Sequence, residues 1–499
     1  MTATKPKKEV NRKGLAARII LLAANLLFFL TLWFASKYDN ISLDQVLYQI
    51  KSSSAGAPGN FASSILVRVV LLGVLLTVAE LLLCRRMEAR MRKAAKIVRS
   101  HRVSMAAGVL VLALLTFTLR LDLVGYVAAI STDSDFIEDY YVQPDSSLLT
   151  FPEEKRNLIY IVLESMENTF ADTATQPIEF NYIEKLTELA GENVNFSHTD
   201  GQGGALSFTG ATWTAASLVS QTAGVTVKVP LDADDYNGED EYMPGVVALG
   251  DLLAEAGYTQ VFLMGSDAEF AGRKAYFTEH GGYEIVDINA LKEQGRLEED
   301  YYEWWGFEDQ KLYEYAKEEL TRLGESGQLF NFTMLTADTH FPDGYACPDC
   351  PEIYEQQYAN VLACSAERLC EFLAWIEEQP FYENTTIVIS GDHLTMDPAF
   401  LDGLEEDYVR TIYNCIINAP VEPVQEKNRL FGVYDMLPTT LAALGVEIEG
   451  DRLGLGTNLF SGRQTLTEKY GYEFLNEELQ KRSVYYNEEL LDDEEQRLN

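Results

Sequence analysis

Histidine is scarce in this chain, and basic side chains are few beside the acidic ones. Five histidines stand among 499 residues, at positions 101, 198, 280, 340 and 393. A two-zinc hydrolase needs several His and Asp ligands in tight motifs. The only Asp-His dipeptide is Asp392-His393, so one metal is favoured over two. Lys and Arg number 39 against 77 Asp and Glu, a net charge of −38, and a chain so short of cations is a poor candidate for gripping nucleic-acid phosphates. Cysteine is also sparse, at six. Cys84 falls in an apolar run, while Cys347, Cys350, Cys364, Cys370 and Cys415 fall in an acidic region where an oxidising compartment would let some of them pair. The CPDC run at 347–350 fits redox chemistry, zinc or a structural disulfide. With no second CxxC, a disulfide of open connectivity is the reading taken. The apolar share of 47% excludes a disordered or collagen-like chain, and the length fits two to four structural units.

The few cations are not spread evenly. Residues 1–125 hold 18 Lys/Arg and 6 Asp/Glu, whereas 126–499 hold 21 and 71. The basic part contains three apolar runs, about 19–35, 65–84 and 105–125, broken only by residues such as Asn25, Thr31, Arg68 and Glu80. About 20 apolar residues cross a bilayer as a helix, so residues 1–130 read as a three-span membrane anchor. The N-terminus carries Lys5, Lys7, Lys8, Arg12, Lys13 and Arg18, and the stretch between the second and third runs carries eight further cations between Arg85 and Arg102. The stretch between the first and second runs has only Lys37 and Lys51. Positive loops stay in the cytoplasm, which puts everything after about Ile130 outside.

Residues 131–156 read as a polar linker and 464–499 as an acidic, helical, solvated tail. Between them, 157–463 read as one α/β domain. The run NLIYIVL at 157–163 is apolar throughout, as in a strand buried on both faces. Further strand-like runs are 259–264, 329–335, 385–390 and 413–418. Helical patterns at 178–191, 246–256, 301–323, 354–378 and 434–444 separate them. Such alternation predicts a mostly parallel sheet covered on both faces. Ligands of these sheets bind beyond the carboxyl ends of the strands.

Two of those strand ends carry chemistry. Glu164 follows the first strand, and Asp392-His393 follows the strand at 385–390. Two carboxylates and an imidazole suit Mn²⁺, Mg²⁺ or Zn²⁺. Between them in sequence lies GQGGALSFTGATWTAASLVSQTAG at 201–224, a Gly-rich loop running into a small-residue helix. Thr212 and Thr214 stand near that helix's N-terminus, where unpaired amides and the dipole favour a phosphate. A Thr there is either a nucleophile or simply an N-cap.

These segments resemble a family. LES at 163–165, GxxWT ending at Thr214, DAEFAGR at 267–273, ADTHFPDGY at 337–345 and SGDH at 390–393 occur in the order of the lipoteichoic acid synthase and phosphoglycerol transferase family, within the sulfatase/alkaline-phosphatase-like superfamily. The resemblance covers about 157–462 and looks closest to the membrane phosphoglycerol transferases that decorate periplasmic glucans. It implies that Glu164, Asp392 and His393 bind one Mn²⁺-like ion, with Thr214 as fourth ligand and nucleophile. It implies a phosphate-contacting Arg273, and substrate-side roles for His340 and Trp213. The implied donor is phosphatidylglycerol at the membrane, and the implied acceptor a glycan or polyglycerol-phosphate hydroxyl. Two departures argue against polymerisation: Met264 stands where the synthases have a histidine, and Ala271 where they have a tryptophan. No C/S-x-P-x-R run precedes the helix, which disfavours sulfate-ester hydrolysis. Two alternatives are a phosphoethanolamine transferase and a catalytically silent glycan-binding module. A binding module would have no use for a nucleophile.

Overall fold

The computed structural model describes residues 12–37, 43–51, 65–90, 92–229, 242–397, 400–405 and 407–491. Lys5, Lys7 and Lys8 of the basic N-terminus lie outside the described residues, as do 492–499 of the tail. The chain divides into two units. One comprises 1–43 and 57–127, and the other comprises 44–56 and 128–499.

The first unit is helical: α1 (Arg12–Lys37), α3 (Leu72–Arg90, entered through a π-turn at Leu66–Leu71) and α4 (Arg92–Arg120). Three stretches, Arg12–Ala35, Leu66–Arg90 and Ser100–Arg120, are long and apolar enough to cross a bilayer. Three of the polar residues inside the apolar runs satisfy one another. Asn25 Nδ2 donates to Thr77 Oγ1 at 3.0 Å and to Glu80 Oε2 at 2.7 Å, so neither helix leaves these groups unpaired, as a lipid surrounding would demand. Leu71, Leu75, Leu83, Leu112 and Leu115 point outward, as side chains facing lipid would. The third helix ends at Arg120. Asp122, with a φ of 42°, turns the chain, and Leu123–Ile130 is a separate helix.

The second unit is built on six strands: β1 (Asn157–Leu163), β2 (Thr259–Met264), β3 (Glu284–Val286), β4 (Phe330–Leu335), β5 (Thr385–Gly391) and β6 (Asn414–Ile417). Their order is β3-β2-β4-β1-β5-β6, parallel except for β6. The short β3 carries no run long enough to be read from sequence. Central β1 is buried at every position. Ile159, Ile161 and Leu163 pack on one face with helices α6 (Asp309–Ser326) and α7 (Gln357–Glu377). Leu158 and Tyr160 pack on the other face with α8 (Met436–Ala443). This is the two-residue alternation of a strand between two helical layers.

Two segments expected at the periphery pack together instead. In the stretch read as a linker, Phe136 and Ile137 are buried, and Phe136 meets Tyr470 and Phe474 of the tail edge-on. The tail's Leu475, Leu479, Tyr486 and Leu490 are buried as well. Glu473, Glu477, Glu488 and Glu489 are exposed on the solvent side of these helices. In the CPDC run the two cysteines do not bond each other: Cys350 pairs with Cys364, and Cys347 is free.

Candidate active site

The register of the sheet builds the site. Leu163 of β1 pairs with Gly391 of β5, so the residues that follow, Glu164 and Asp392, leave adjacent parallel strands side by side. His393 comes next. Ligand atoms of Glu164, Asp392 and His393 all lie within 4.8 Å of one another, and all three residues are buried. His393 Nε2 is 3.6 Å from Glu164 Oε1 and 3.4 Å from Asp392 Oδ2.

Local hydrogen bonds aim these groups. Asp392 Oδ1 accepts from the amides of Ser165 at 2.6 Å and His393 at 2.7 Å, while Oδ2 is buried without a partner. His393 Nδ1 donates to the Leu394 carbonyl at 2.8 Å, so in the neutral ring the Nε2 lone pair faces the two carboxylates. Ser165, at a φ of 53°, donates from Oγ to Glu164 Oε1 at 2.7 Å. Burial, and then Glu164, hold the Asp392 carboxyl above the usual range. Burial opposes charge on His393, but Asp392 and Glu164 outweigh it and raise the imidazole. An orphaned buried carboxylate oxygen and an imidazole lone pair converging on a second carboxylate fit a divalent cation.

Thr214 opens α5 (Thr214–Ala223) at this cluster. The Gly-rich approach is forced by space: a Cβ on Gly204 would lie 1.8 Å from the Ile412 carbonyl. Trp213 is extended and offers no capping bond. Thr212 Oγ1 is buried and unpartnered, so it is not the N-cap either. The first amides of α5 therefore have no side-chain cap. Thr214 Oγ1 donates to Glu164 Oε2 at 3.2 Å and lies 3.4 Å from His393 Nε2. The Trp213 ring is buried, 5.2 Å from the ring of Tyr48.

Arg273 and His340 come to the same place from other strand ends. Arg273 is buried, with Nε donating to Phe270 O at 3.0 Å and Nη2 to Asp267 O at 2.8 Å. Burial pulls it down to about 10, so it stays charged at neutral pH, and Glu164 is among the charges it feels. His340 follows β4. Burial pulls its imidazole down to about 4, and His393, Asp392 and Arg273 all act on it. Its Nδ1 donates to Phe341 O at 2.6 Å, and its ring lies 4.5 Å from that of Trp305. His340 is thus a neutral imidazole with Nε2 left as a hydrogen-bond acceptor.

Sequence reasoning missed the groups that hold these in place. Asp309 and Asp338 lock the loop that carries His340. Asp309 accepts from the amides of Ala337 at 2.8 Å and Asp338 at 3.1 Å, and Asp338 Oδ1 accepts from Asp309 N at 3.1 Å. Burial raises both carboxyls, and Asp309 raises Asp338 further. A carboxyl raised in the fold stabilises it fully below its unfolded value, 3.8 here, and loses that contribution as pH climbs through the folded value. Melting temperature is therefore expected to fall between about pH 5 and pH 8 more steeply in the wild type than in Asp338→Asn. Equal slopes by differential scanning fluorimetry would contradict this.

Comparison with known proteins shows the family. A family model described as Sulfatase matches residues 156–446. The chain belongs to the sulfatase family. Phosphoglycerol transferase I of Salmonella choleraesuis (strain SC-B67) is 31% identical over 346 residues, 68% of this chain and 43% of the relative. The chain thus spans less than half the length of the curated relatives it matches. Among solved structures, a protein of the alkaline phosphatase superfamily from Vibrio parahaemolyticus aligns at 22% identity and a TM-score of 0.49, covering 67% of this chain and 77% of that one. The lipoteichoic acid synthase LtaP from Listeria monocytogenes aligns at 19% identity and a TM-score of 0.47, covering 65% and 80%.

Proposed function

We propose that this sulfatase-family chain is a membrane-anchored phosphoglycerol transferase. It moves a glycerophosphoryl group from phosphatidylglycerol to a hydroxyl of a glycan or polyglycerol-phosphate acceptor. The observation that carries this is the Thr214 hydroxyl, held at 3.2 Å from Glu164 and 3.4 Å from His393 at an uncapped helix N-terminus. A hydroxyl so placed can attack phosphorus while the α5 amides face the phosphate oxygens. The name carried by the Salmonella relatives supports the group transferred.

The steps are a double displacement. Thr214 Oγ bonds to phosphorus, the bond to the diacylglycerol oxygen breaks, and diacylglycerol departs with a proton. The glycerophosphoryl group now sits on Thr214. An acceptor hydroxyl then attacks the same phosphorus, and Thr214 leaves and regains its proton. Glu164, Asp392 and His393, with Thr214 as fourth ligand, would hold one divalent ion, Mn²⁺ first and Mg²⁺ or Zn²⁺ as alternatives. When bound, that ion supplies positive charge against the phosphoryl oxygens and eases deprotonation of a bound hydroxyl. Arg273 contributes a second cation to the same oxygens. His340, neutral at working pH, offers Nε2 as a hydrogen-bond acceptor on the substrate side, and the proton of the acceptor hydroxyl passes to the departing Thr214 oxygen.

Incubating the protein with phosphatidylglycerol labelled in its glycerol head group should transfer label to the acceptor and release unlabelled diacylglycerol. Transfer only from phosphatidylethanolamine labelled in its ethanolamine would overturn the choice of donor.

The catalytic unit lies outside the cytoplasm in this reading. Residues 44–56, between the first and second spans, belong to the same unit as 128–499. Two further crossings separate these segments, which returns the chain to the same side. Protease added to intact spheroplasts should digest the chain beyond Ile130 and spare the Arg85–Arg102 stretch. Protection of the acidic domain would reverse the topology.

A further inference from the structure

The stretch between the first two spans carries α2 (Leu43–Lys51), and Asp44 onward belongs to the catalytic unit. Its buried side reaches three separate segments of the site. Gln45 Nε2 donates to Met396 Sδ at 3.4 Å, three residues beyond His393. The Tyr48 ring packs on Trp213, the residue before Thr214. The Tyr48 hydroxyl donates to the Ala271 carbonyl at 2.7 Å, two residues before Arg273. Tyr48 Oη also meets Tyr242 Oη at 2.6 Å. Since its single proton goes to Ala271, Tyr242 is the donor there. Tyr48 is completely buried.

The Ala271 contact lies at a strained point. Ala271 has a φ of 58° and Gly272 a φ of 73°. Two consecutive left-handed residues, one of them an alanine, persist only where the surroundings hold them. This kink launches the helix Arg273–Glu279, and Arg273 folds back over it onto Phe270 O and Asp267 O. A buried donor that grips the Ala271 carbonyl therefore fixes where the guanidinium sits. Burial holds the Tyr48 phenol far above its ordinary range, so the proton it donates is present at any working pH.

We propose that Tyr48 is a positioning residue. From the loop between two membrane spans it holds the kink before Arg273 and the Trp213–Thr214 corner in register, so the site is complete only with this loop helix docked. This rests on the transferase reading for the reaction it serves. The placement itself does not depend on that reading.

The experiment uses the full-length protein in phospholipid–detergent micelles. Tyr48→Phe keeps the ring and removes only the hydroxyl. It should lower kcat by about 10-fold or more, because a misplaced positioning group costs up to about 100-fold. In an Arg273→Ala background the same change should cost less than about twofold, since the group it positions is gone. Hydrogen exchange should quicken in peptides spanning 268–275 in Tyr48→Phe, and not across β1 or β5. Unchanged exchange at 268–275, or a loss that multiplies in full with Arg273→Ala, would overturn the proposal. If the wild type transfers no glycerophosphate, the transferase reading fails, and the exchange comparison still decides the role of Tyr48.

Discussion

Thr214→Ala should show no detectable turnover while unfolding within a few degrees of the wild type. The Thr214 hydroxyl is the only one the structure brings within hydrogen-bonding reach of both Glu164 and His393 among the described residues. Without it no oxygen remains to bond phosphorus, so the loss is the whole of the covalent route. The fold has little at stake, because Thr214 caps nothing and lies at a helix end. Its removal loses the bond to Glu164 Oε2, which costs about 1 kcal/mol. Thr214→Ser retains the attacking group and should retain part of the rate. Thr212→Ala should keep a substantial rate. Its Oγ1 is buried without a partner, so the variant also loses no capping bond. Full activity in Thr214→Ala would remove the nucleophile from the account.

Metal removal should be the second large effect. Glu164, Asp392 and His393 place two carboxylates and an imidazole in a buried cluster. Without a cation, the like charges of Glu164 and Asp392 are set against each other. Dialysis against a chelator should abolish transfer, and Mn²⁺ should restore it. The ion should also raise the melting temperature, since a ligand at about 100 times its Kd stabilises by about 2.7 kcal/mol. In Asp392→Asn the stabilisation should shrink sharply, because the unpartnered Oδ2 is the atom best placed to meet the ion. A melting temperature indifferent to Mn²⁺, Mg²⁺ and Zn²⁺ in the wild type would end the metal proposal.

What could be read from the sequence follows from which signals are local. The buried run at 157–163 and the strand before Asp392 were legible because parallel strands covered on both faces are apolar throughout. Their ends pointed to Glu164 and Asp392-His393 because that is where such sheets bind ligands. The resemblance then chose Thr214 over Thr212. In the structure Thr214 Oγ1 lies 3.2 Å from Glu164 Oε2 and 3.4 Å from His393 Nε2, and Thr212 Oγ1 has no hydrogen-bond partner. The missed residues share a different property: their roles depend on contacts far apart in sequence. Asp309 looks like an ordinary residue at the start of a helix until it is seen holding the amides of Ala337 and Asp338. Tyr48 sits in a nine-residue helix between two long apolar helices, and nothing nearby in sequence marks it as a neighbour of Ala271. Phe136 and the tail were misjudged for the same reason. Their acidic neighbours are visible in sequence, but the aromatic cluster they form with Tyr470 and Phe474 is not.

The central claim is a covalent glycerophosphoryl group on one threonine, and mass spectrometry tests it most directly. Protein mixed with phosphatidylglycerol and Mn²⁺ without acceptor, then quenched in acid and digested, should carry a single added glycerophosphate on the peptide containing Thr214. The adduct should disappear when acceptor is supplied before the quench, and it should be absent from Thr214→Ala. A glycerophosphate on any other residue, or turnover with no adduct on Thr214 in a rapid quench, would contradict the account.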